Sequence, residues 1–238
     1  MKIALIGYGK MGKEIEKTAR ERGHEILFKF DVNNKNEFTV ENLKQADVAI
    51  EFTQPDSAYE NYMKCFEANI PVVSGTTGWL DKLPEIKNEC ENNNQTFFYA
   101  SNFSIGVNLF FKLNNFLADL MNPVKGYDVS ISETHHTEKK DAPSGTAITI
   151  AQDIIKHSDR KENWVKEHAV SDTELVIRSF REGKVPGTHT VTYESDVDYI
   201  EIKHSAKSRK GFALGAVSAA ELTQKKSGFL SMADLLNF

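Results

Sequence analysis

The sequence predicts an α/β protein in which a doubly wound parallel sheet at the N-terminus is followed by an α+β domain with an open, mostly antiparallel sheet. Over the first hundred residues, short apolar runs alternate with amphipathic stretches, a pattern typical of repeated strand–helix units. After residue 104 the pattern changes to longer helices and to strands in which apolar and polar residues alternate.

Five strands are expected in the first part of the chain. Each is apolar and is bounded by Gly, Pro, Asn or Asp, and they cover residues 2–7, 25–30, 47–53, 71–77 and 96–101. Helical spacing of apolar residues predicts helices over 11–22 and 55–69. The apolar runs are nearly continuous, as expected for parallel strands that are covered on both faces.

The second part of the chain is expected to contain helices at 106–121 and 144–158 and a strand at 127–134. Three alternating segments, 173–180, 188–195 and 198–205, predict an antiparallel meander. A small-residue helix at 212–226 is expected to return to the first domain. The predicted domains are therefore 1–104 with 208–238, which binds a dinucleotide, and 105–207, which binds substrate and forms the oligomer.

Composition excludes several classes of protein. The chain has 238 residues, 40% of them hydrophobic, and a formal net charge of −5, which argues against a nucleic-acid or membrane-surface partner. Its two cysteines, Cys65 and Cys90, lie in predicted helices and form neither a disulfide framework nor a zinc pattern. No apolar run reaches the roughly 20 residues needed to span a bilayer. A cytoplasmic location is expected.

The segment "GYGKMG" places Gly7, Gly9 and Gly12 in the G-x-G-x-x-G pattern between the first strand and the first helix. In this context Gly7 allows a tight turn, Gly9 lets the backbone approach a pyrophosphate, and Gly12 permits close contact between helix and strand. The pattern predicts a Rossmann-like dinucleotide site; the alternative is a purely structural turn.

Asp31 follows the second strand, 19 residues beyond Gly12, where a carboxylate can accept hydrogen bonds from the adenosine ribose. The same carboxylate would repel a 2′-phosphate. Val32 follows Asp31, and the nearest downstream cation is Lys35. NADH is therefore favoured and NADPH is possible, while the alternative for Asp31 is a solvated turn residue.

The stretch "ETHHTEKKDAPSGTA" (133–147) combines several proton carriers with a predicted helix start. His135 and His136 should point to different sides of a strand end, and Lys139 can fold back beside one of them. The helix N-terminus at Ser144, Gly145 and Thr146 would supply N–H groups to a carboxylate. No metal is expected, because two adjacent histidines lack a third ligand at helical spacing. The alternative is an exposed charged loop in which Ser144 only caps the helix.

The chain resembles the dihydrodipicolinate reductase family over nearly its whole length. The motifs "GYGKMG", "EFTQP", "VVSGTTGW", "ASNFSIGVN", "HHTEKKDAPSGTA", "FREGKVPGTHTV" and "SAKSRKGFALGA" follow the family's order. The resemblance implies that His135 is the acid/base, that Lys139 is a proton donor, and that the second domain's sheet builds a homotetramer. It also implies substrate contacts from His136, Ser144, Gly145, Thr146 and Thr77.

The glycine turn, the strand ends and the resemblance together predict the residues that contact the dinucleotide: Gly7, Tyr8, Gly9, Lys10, Met11, Gly12, Asp31, Phe52, Thr53, Gly75, Thr76, Thr77, Ala100, Ser101, Asn102 and Phe103. Two departures from the family pattern concern this site. The glycine turn is one residue shorter than the common bacterial form, and Val32 stands where many relatives carry an arginine.

The function implied by the resemblance is reduction of 4-hydroxy-tetrahydrodipicolinate, via dihydrodipicolinate, to tetrahydrodipicolinate with NAD(P)H in the diaminopimelate/lysine pathway. Two alternatives remain open at this point. One is another Rossmann-type dehydrogenase of amino-acid metabolism, and the other is a non-catalytic nucleotide-sensing module. The proton carriers of 133–147 argue against the second, because a module that only senses a nucleotide has no use for an acid.

Overall fold

A computed structural model describes all 238 residues. The chain divides into two compact units. The first comprises Met1–Ile105 together with Arg209–Phe238, and the second comprises Gly106–Ser208. The ranges expected from the sequence were 1–104 with 208–238, and 105–207.

Eleven strands form two sheets. In chain order they are β1 (Lys2–Ile6), β2 (Glu25–Phe30), β3 (Val48–Glu51), β4 (Val72–Ser74), β5 (Thr96–Tyr99), β6 (Asp128–His135), β7 (Asn163–Lys166), β8 (Glu174–Arg181), β9 (Gly187–Glu194), β10 (Tyr199–Ala206) and β11 (Gly228–Leu230).

Eight α-helices accompany them: α1 (Lys10–Glu21), α2 (Val40–Leu43), α3 (Pro55–Glu67), α4 (Leu83–Asn92), α5 (Ile105–Met121), α6 (Gly145–Lys156), α7 (Lys210–Thr223) and α8 (Met232–Leu236). Short 3₁₀ turns cover Val32–Glu37 and Leu80–Lys82. No helix combines the length and the apolarity that a membrane span requires.

The first unit contains a parallel six-stranded sheet in the order β11-β5-β4-β3-β1-β2. Ile3, Leu5 and Ile50 lie in an apolar cluster on one face with residues of α1 and α7. Ala4 and Ala49 lie in a second cluster with residues of α3 and α4. Both faces are therefore covered, which explains the continuous apolar runs and confirms the predicted Rossmann-like fold.

Two strands of this sheet end earlier than the sequence suggested. β3 stops at Glu51 and β4 at Ser74, whereas the apolar pattern extended to 53 and 77. After β3 the backbone N–H of Thr53 donates to the side chains of Glu51 and Thr76 instead of to a neighbouring strand. The edge strand β11 was not predicted, since three residues are too few for a period to be recognised.

The second unit contains a mixed five-stranded sheet in the order β10-β9-β6-β8-β7. β10 and β6 pair with β9 in antiparallel fashion, whereas β6–β8 and β8–β7 are parallel. The predicted three-strand meander is therefore wrong: β6 lies between β8 and β9. Alternation within a strand reports which face is buried, and it does not report which strand is the neighbour.

One face of this second sheet packs on helices. Val129 and Ile131 of β6 join residues of β8, β9, α5 and α6 in one apolar cluster. Because side chains alternate along a strand, Glu133 and His135 continue the same buried face toward the carboxyl end of β6. Two strongly polar side chains therefore lie where the apolar row ends.

Candidate functional site

A cavity of about 330 Å³ opens at the carboxyl ends of β1, β2 and β3 in the first unit. It brings together six of the residues expected to contact a dinucleotide: Gly7, Tyr8, Gly9, Asp31, Phe52 and Thr53. This is the position at which doubly wound sheets bind ligands. Phe38 and Asn61 also line it and were not predicted, because neither follows a strand of this sheet in the sequence.

The glycine turn meets the geometric demands inferred from its pattern. Gly7 has φ +91°, and a Cβ there would lie 2.1 Å from the carbonyl oxygen of Phe52. A Cβ on Gly12 would lie 2.4 Å from the carbonyl oxygen of Gly7, so the first turn of α1 can approach β1 only without a side chain. At Gly9, which caps α1, a Cβ would meet nothing within 4 Å. The helix N-terminus is thus accessible to an anion.

The residues that follow Gly9 differ in their environments. Lys10 is the exposed first residue of α1, whereas Met11 is partly buried against the core cluster on that side of the sheet. Lys10 is free of core packing and can approach a ligand, and Met11 anchors the helix start.

Asp31 begins the 3₁₀ turn that follows β2. One of its carboxylate oxygens accepts a hydrogen bond from the N–H of Val32 at 2.7 Å, and its own N–H donates to Oδ1 of Asn34 at 2.7 Å. Lys35, on the same turn, lines the same cavity. The cavity therefore offers both a carboxylate and an ammonium group to whatever it binds.

Glu51, the last residue of β3, organises the strand ends beside this cavity. It is fully buried and accepts hydrogen bonds from Ser74 Oγ and Thr76 Oγ1, at 3.0 Å each, and from the hydroxyl of Thr53. Burial raises the pKa of the Glu51 carboxyl, and these hydrogen bonds partly offset that effect. The sequence contained one signal for this residue, a charged side chain at the end of an otherwise apolar strand.

The remaining strand-end residues lie in different environments. Thr76 is buried and bonded to Glu51, whereas Thr77 is exposed. Gly75 has no room for a side chain, since a Cβ would lie 2.1 Å from the Phe52 ring.

In the segment after β5, Ala100 and Phe103 are buried and Ser101 is exposed. The Phe103 ring lies 5.5 Å from that of Phe52. The Asn102 side chain accepts a hydrogen bond from the N–H of Ser104 at 2.9 Å. Thr77 and Ser101 are thus exposed, whereas Asn102 is half-buried.

In the second unit, three buried polar side chains converge at the end of β6. The Nε2 atom of His135 lies 3.4 Å from Nε2 of His189 on β9 and 3.4 Å from Oε2 of Glu133. His189 Nε2 is 3.6 Å from the same carboxylate oxygen. Glu133, His135 and His189 are 1%, 8% and 4% exposed. His135 was predicted, whereas Glu133 and His189 were not assigned to the site.

The Glu133 carboxylate is held as an anion. Its Oε1 accepts hydrogen bonds from the N–H of Ser144 at 3.0 Å and from Ser179 Oγ at 2.8 Å, and Arg181 lies 3.9 Å away. Burial raises the pKa of this carboxyl, but interactions with the two imidazoles and the hydrogen bonds from both serines outweigh it and hold the pKa well below its usual range.

The sequence suggested no third metal ligand beside the two adjacent histidines, but the structure brings two further candidate side chains close to His135. Ligand atoms of Glu133, His135 and His189 all lie within 4.8 Å of one another, because the sheet brings β9 beside β6. However, Nδ1 of His189 is buried without a partner, whereas a metal-bound histidine normally donates its second N–H to an acceptor. The arrangement is better suited to sharing protons.

The sequence suggested that Lys139 folds back beside one of the two histidines, but in the structure its side chain does not. Its Nζ donates to both carboxylate oxygens of Asp141 at 2.8 Å, and this hydrogen bond lowers the pKa of Asp141. The side chain of Arg181 donates to the carbonyl oxygens of Lys139 and Asp141. Arg181 therefore braces the loop that follows β6.

The start of α6 also differs in part from expectation. Ser144 caps the helix through its hydroxyl, which accepts from the N–H of Ala147 at 3.2 Å. Its own N–H is committed to Glu133, so it cannot serve a ligand carboxylate. Gly145 is exposed, and Thr146 and His136 are half-buried. The N-terminal N–H groups that remain for an anion come from the first turn beyond Ser144.

Comparison with known proteins assigns the family. The chain matches the model "Dihydrodipicolinate reductase, N-terminus" over residues 1–103 and the model "Dihydrodipicolinate reductase, C-terminus" over residues 106–236.

Two relatives carry the name 4-hydroxy-tetrahydrodipicolinate reductase. The protein from Christiangramia forsetii is 50% identical over 237 residues, covering 100% of this chain and 98% of the relative. The protein from Staphylococcus haemolyticus is 35% identical over 251 residues, covering 99% and 100%.

Solved structures show the same fold. A dipicolinate-bound dihydrodipicolinate reductase from a Paenisporosarcina species has a TM-score of 0.81 at 24% identity and covers 98% of both chains. An amine dehydrogenase from Mycobacterium smegmatis has a TM-score of 0.61 at 11% identity and covers 98% of this chain and 95% of its own. The family matches over both units and the relative that is 50% identical over the whole chain show that the chain belongs to the dihydrodipicolinate reductase family of NAD(P)H-dependent oxidoreductases.

Proposed function

We propose that this chain reduces 4-hydroxy-tetrahydrodipicolinate, via dihydrodipicolinate, to tetrahydrodipicolinate with NAD(P)H in the diaminopimelate/lysine pathway. The observation that carries this proposal is that His135, the first residue of the motif "HHTEKKDAPSGTA", lies in a buried cluster with Glu133 and His189. A relative that is 50% identical over the whole chain has the corresponding name.

The first unit supplies the dinucleotide site. The carboxylate of Asp31 would accept hydrogen bonds from the ribose hydroxyls. The open N-terminus of α1 at Gly9 would bind the pyrophosphate through its backbone N–H groups. When bound, the reduced nicotinamide supplies a hydride. Residues 75–77 and 100–103 would contact its ring and amide.

NADH is the favoured cofactor, because the Asp31 carboxylate would repel a 2′-phosphate. NADPH remains usable because Lys35 lines the same cavity and offers a countercharge. The ratio of the two therefore depends on the balance between Asp31 and Lys35.

The second unit supplies the groups that would bind the substrate carboxylates and the acid that would donate a proton. Backbone N–H groups of the first turn of α6, with Gly145 and Thr146, would bind a substrate carboxylate, and His136 and Lys139 would bind the other. Hydride addition to the conjugated imine leaves an enamine, which is then protonated on a ring carbon. His135 would donate it, since histidine has an unperturbed pKa of about 6.5 and can act near neutral pH.

Self-association is proposed through the second unit's sheet. Its helix-free face presents Ser130, Ser132 and Thr134 of β6, with Glu201 and Lys203 of β10 at the edge. A hydroxyl-rich face whose edge strand carries both a carboxylate and an ammonium group can pair with the same face of a second copy across a two-fold axis, which supports the expected homotetramer. A cytoplasmic location is proposed from the biosynthetic role and from the free thiols of Cys65 and Cys90.

Two measurements test the proposed function. Enzymatically generated substrate should be reduced with consumption of NADH or NADPH, followed at the nicotinamide absorbance. Calorimetry should also show that pyridine-2,6-dicarboxylate binds. A nucleotide-sensing module would bind the cofactor but neither bind this dianion nor turn over, and that result would refute the proposal.

A further inference from the structure

The two ring nitrogens of His135 have different surroundings. Nε2 faces inward, toward Nε2 of His189 and Oε2 of Glu133, at 3.4 Å from each. The Cε1 edge of the ring, which lies between the two nitrogens, faces Gly187 at the start of β9, with Nδ1 nearer to it than Nε2. A Cβ on Gly187 would lie 2.9 Å from Cε1 of His135 and 3.3 Å from its Nδ1. This edge of the imidazole is therefore uncrowded only because residue 187 has no side chain.

The tautomer of His189 follows from its burial. Its Nδ1 is buried and has no hydrogen-bond partner, so a proton placed there would have no acceptor. The proton of the neutral ring is therefore on Nε2. That nitrogen lies 3.2 Å from Ser144 Oγ and faces His135 and Glu133.

The Glu133 carboxylate needs a donor at its second oxygen. Oε1 is satisfied by Ser144 and Ser179, whereas Oε2 is buried and makes no well-aligned hydrogen bond. A carboxylate can only accept, so the group that approaches Oε2 has to carry a proton. His135 Nε2 is nearer to it than His189 Nε2, at 3.4 Å compared with 3.6 Å.

We propose that Glu133 and His189 are positioning residues that hold His135 with a proton on its inward Nε2, so that Nδ1, beside Gly187, is the nitrogen that gives up the catalytic proton. The inference rests on the proposed role of His135 as the acid. Protonated His135 transfers the Nδ1 proton to the ring carbon of the reduced substrate, returns to the neutral form with hydrogen on Nε2, and regains the Nδ1 proton from solvent.

The positions of the protons give Glu133 and His189 a specific effect on His135. If the His135 ring rotated or changed tautomer, Oε2 would lose its nearest donor, and the remaining one, His189 Nε2 at 3.6 Å, lies closer to Ser144 Oγ, at 3.2 Å. The orientation of Nδ1 is thus coupled to Glu133, and through Ser144 it is coupled to the start of α6.

Nitrogen-15 NMR of the histidine side chains in the full chain tests the proposal without substrate. The signals of His135 are assigned from their loss in His135→Gln. In the wild type we expect neutral His135 to carry its proton on Nε2. Glu133→Gln should produce a mixture of the two tautomers. A wild-type His135 protonated on Nδ1 would overturn the proposal whether or not the chain reduces the proposed substrate.

Kinetics supplies the second readout. General acid catalysis is worth about 10²–10⁴-fold, so we expect loss of orientation alone to lower kcat by about 10–100-fold in Glu133→Gln and His189→Leu. KM and the cofactor Kd should change little. His189→Gln retains an N–H donor at the reach of Nε2 and should recover most of the loss. Gly187→Ala should lower kcat because its Cβ displaces the imidazole.

His204→Asn is the matched control. His204 pairs with His189 across β9 and β10 but lies outside the hydrogen bonds of Glu133. It should leave the His135 tautomer unchanged. If His189→Leu lowers kcat no more than His204→Asn, or if His189→Gln is as impaired as His189→Leu, the positioning role is refuted. Should Glu133→Gln fail to fold, the wild-type tautomer and the two His189 variants still decide the question.

Discussion

The ammonium group of Lys139 donates to both carboxylate oxygens of Asp141, at 2.8 Å each, and not to the side chain of either histidine of its own motif. Arg181 fixes the loop by donating to the carbonyl oxygens of the same two residues. The ammonium group is therefore held at the loop as a charge, while the buried imidazole of His135 is held in the sheet. The two groups are suited to different tasks, binding and proton transfer respectively.

His135→Gln should lower kcat by about 10²–10⁴-fold, because it removes the proposed acid. The affinity for NADH should be nearly unchanged, since the imidazole belongs to a different unit from the dinucleotide cavity. Steady-state kinetics and fluorescence titration of the cofactor check this. A turnover number equal to that of the wild type would contradict the assignment.

Asp141→Asn should raise the KM for the dicarboxylate substrate by about threefold to tenfold, equivalent to roughly 1 kcal/mol. The physical reason is that the amide no longer holds the Lys139 ammonium in place. The value of kcat should stay close to that of the wild type. Glu138→Gln, which removes a carboxylate of the same loop with no bond to Lys139, is the control, and an equal rise in KM there would show a nonspecific effect of charge.

Asp31→Ala should weaken the binding of NADH more than that of NADPH, and Lys35→Ala should weaken the binding of NADPH alone. Both residues line one cavity, but a carboxylate recognises ribose hydroxyls whereas an ammonium group recognises a 2′-phosphate. The measurement is kcat/KM for each cofactor in each variant. Equal losses for both cofactors in Lys35→Ala would contradict the role of the lysine.

Glu221→Gln should destabilise the first unit at neutral pH by less than about 1 kcal/mol, as is usual for a pair near the surface. The Arg22 guanidinium, joined by His24, holds the pKa of this carboxyl below its usual value. The folded state therefore binds its proton more weakly than the unfolded state, so the contribution is present above about pH 4.5 and is lost at lower pH. Thermal unfolding of both proteins at neutral and acidic pH checks this, and a difference that persists well below pH 4.5 would contradict it.

Gly215→Ala should destabilise the protein by about 1–3 kcal/mol, the usual cost of overpacking. A Cβ there would lie 1.8 Å from the carbonyl oxygen of Phe103, which is backbone and cannot yield as a flexible side chain can. Gly211→Ala in the same helix is the control, because its Cβ would come no closer than 3.9 Å to a neighbouring atom. Chemical denaturation should separate the two variants; equal stability would show that α7 shifts without cost.

The sequence by itself determined the features that depend on short stretches of chain. Strands β1 to β5 were predicted because parallel strands buried on both faces read as continuous apolar runs. Gly7 and Gly12 were predicted because a tight turn and a close helix–strand contact each require the absence of a Cβ, and Gly9 was predicted because a glycine there lets a pyrophosphate approach the backbone. The resemblance to the family rests on the same kind of local signal, the motif around His135.

Tertiary structure decided what depends on residues far apart in the chain. His189 lies 54 residues from His135, and only the pairing of β6 with β9 brings their rings together. That pairing could not be inferred, because alternation shows which face of a strand is buried and not which strand lies beside it. For the same reason Glu133 was recognised only when its buried carboxylate was found beside two imidazoles. The sequence contained the proposed acid, and the order of the strands supplied the groups that we propose orient it.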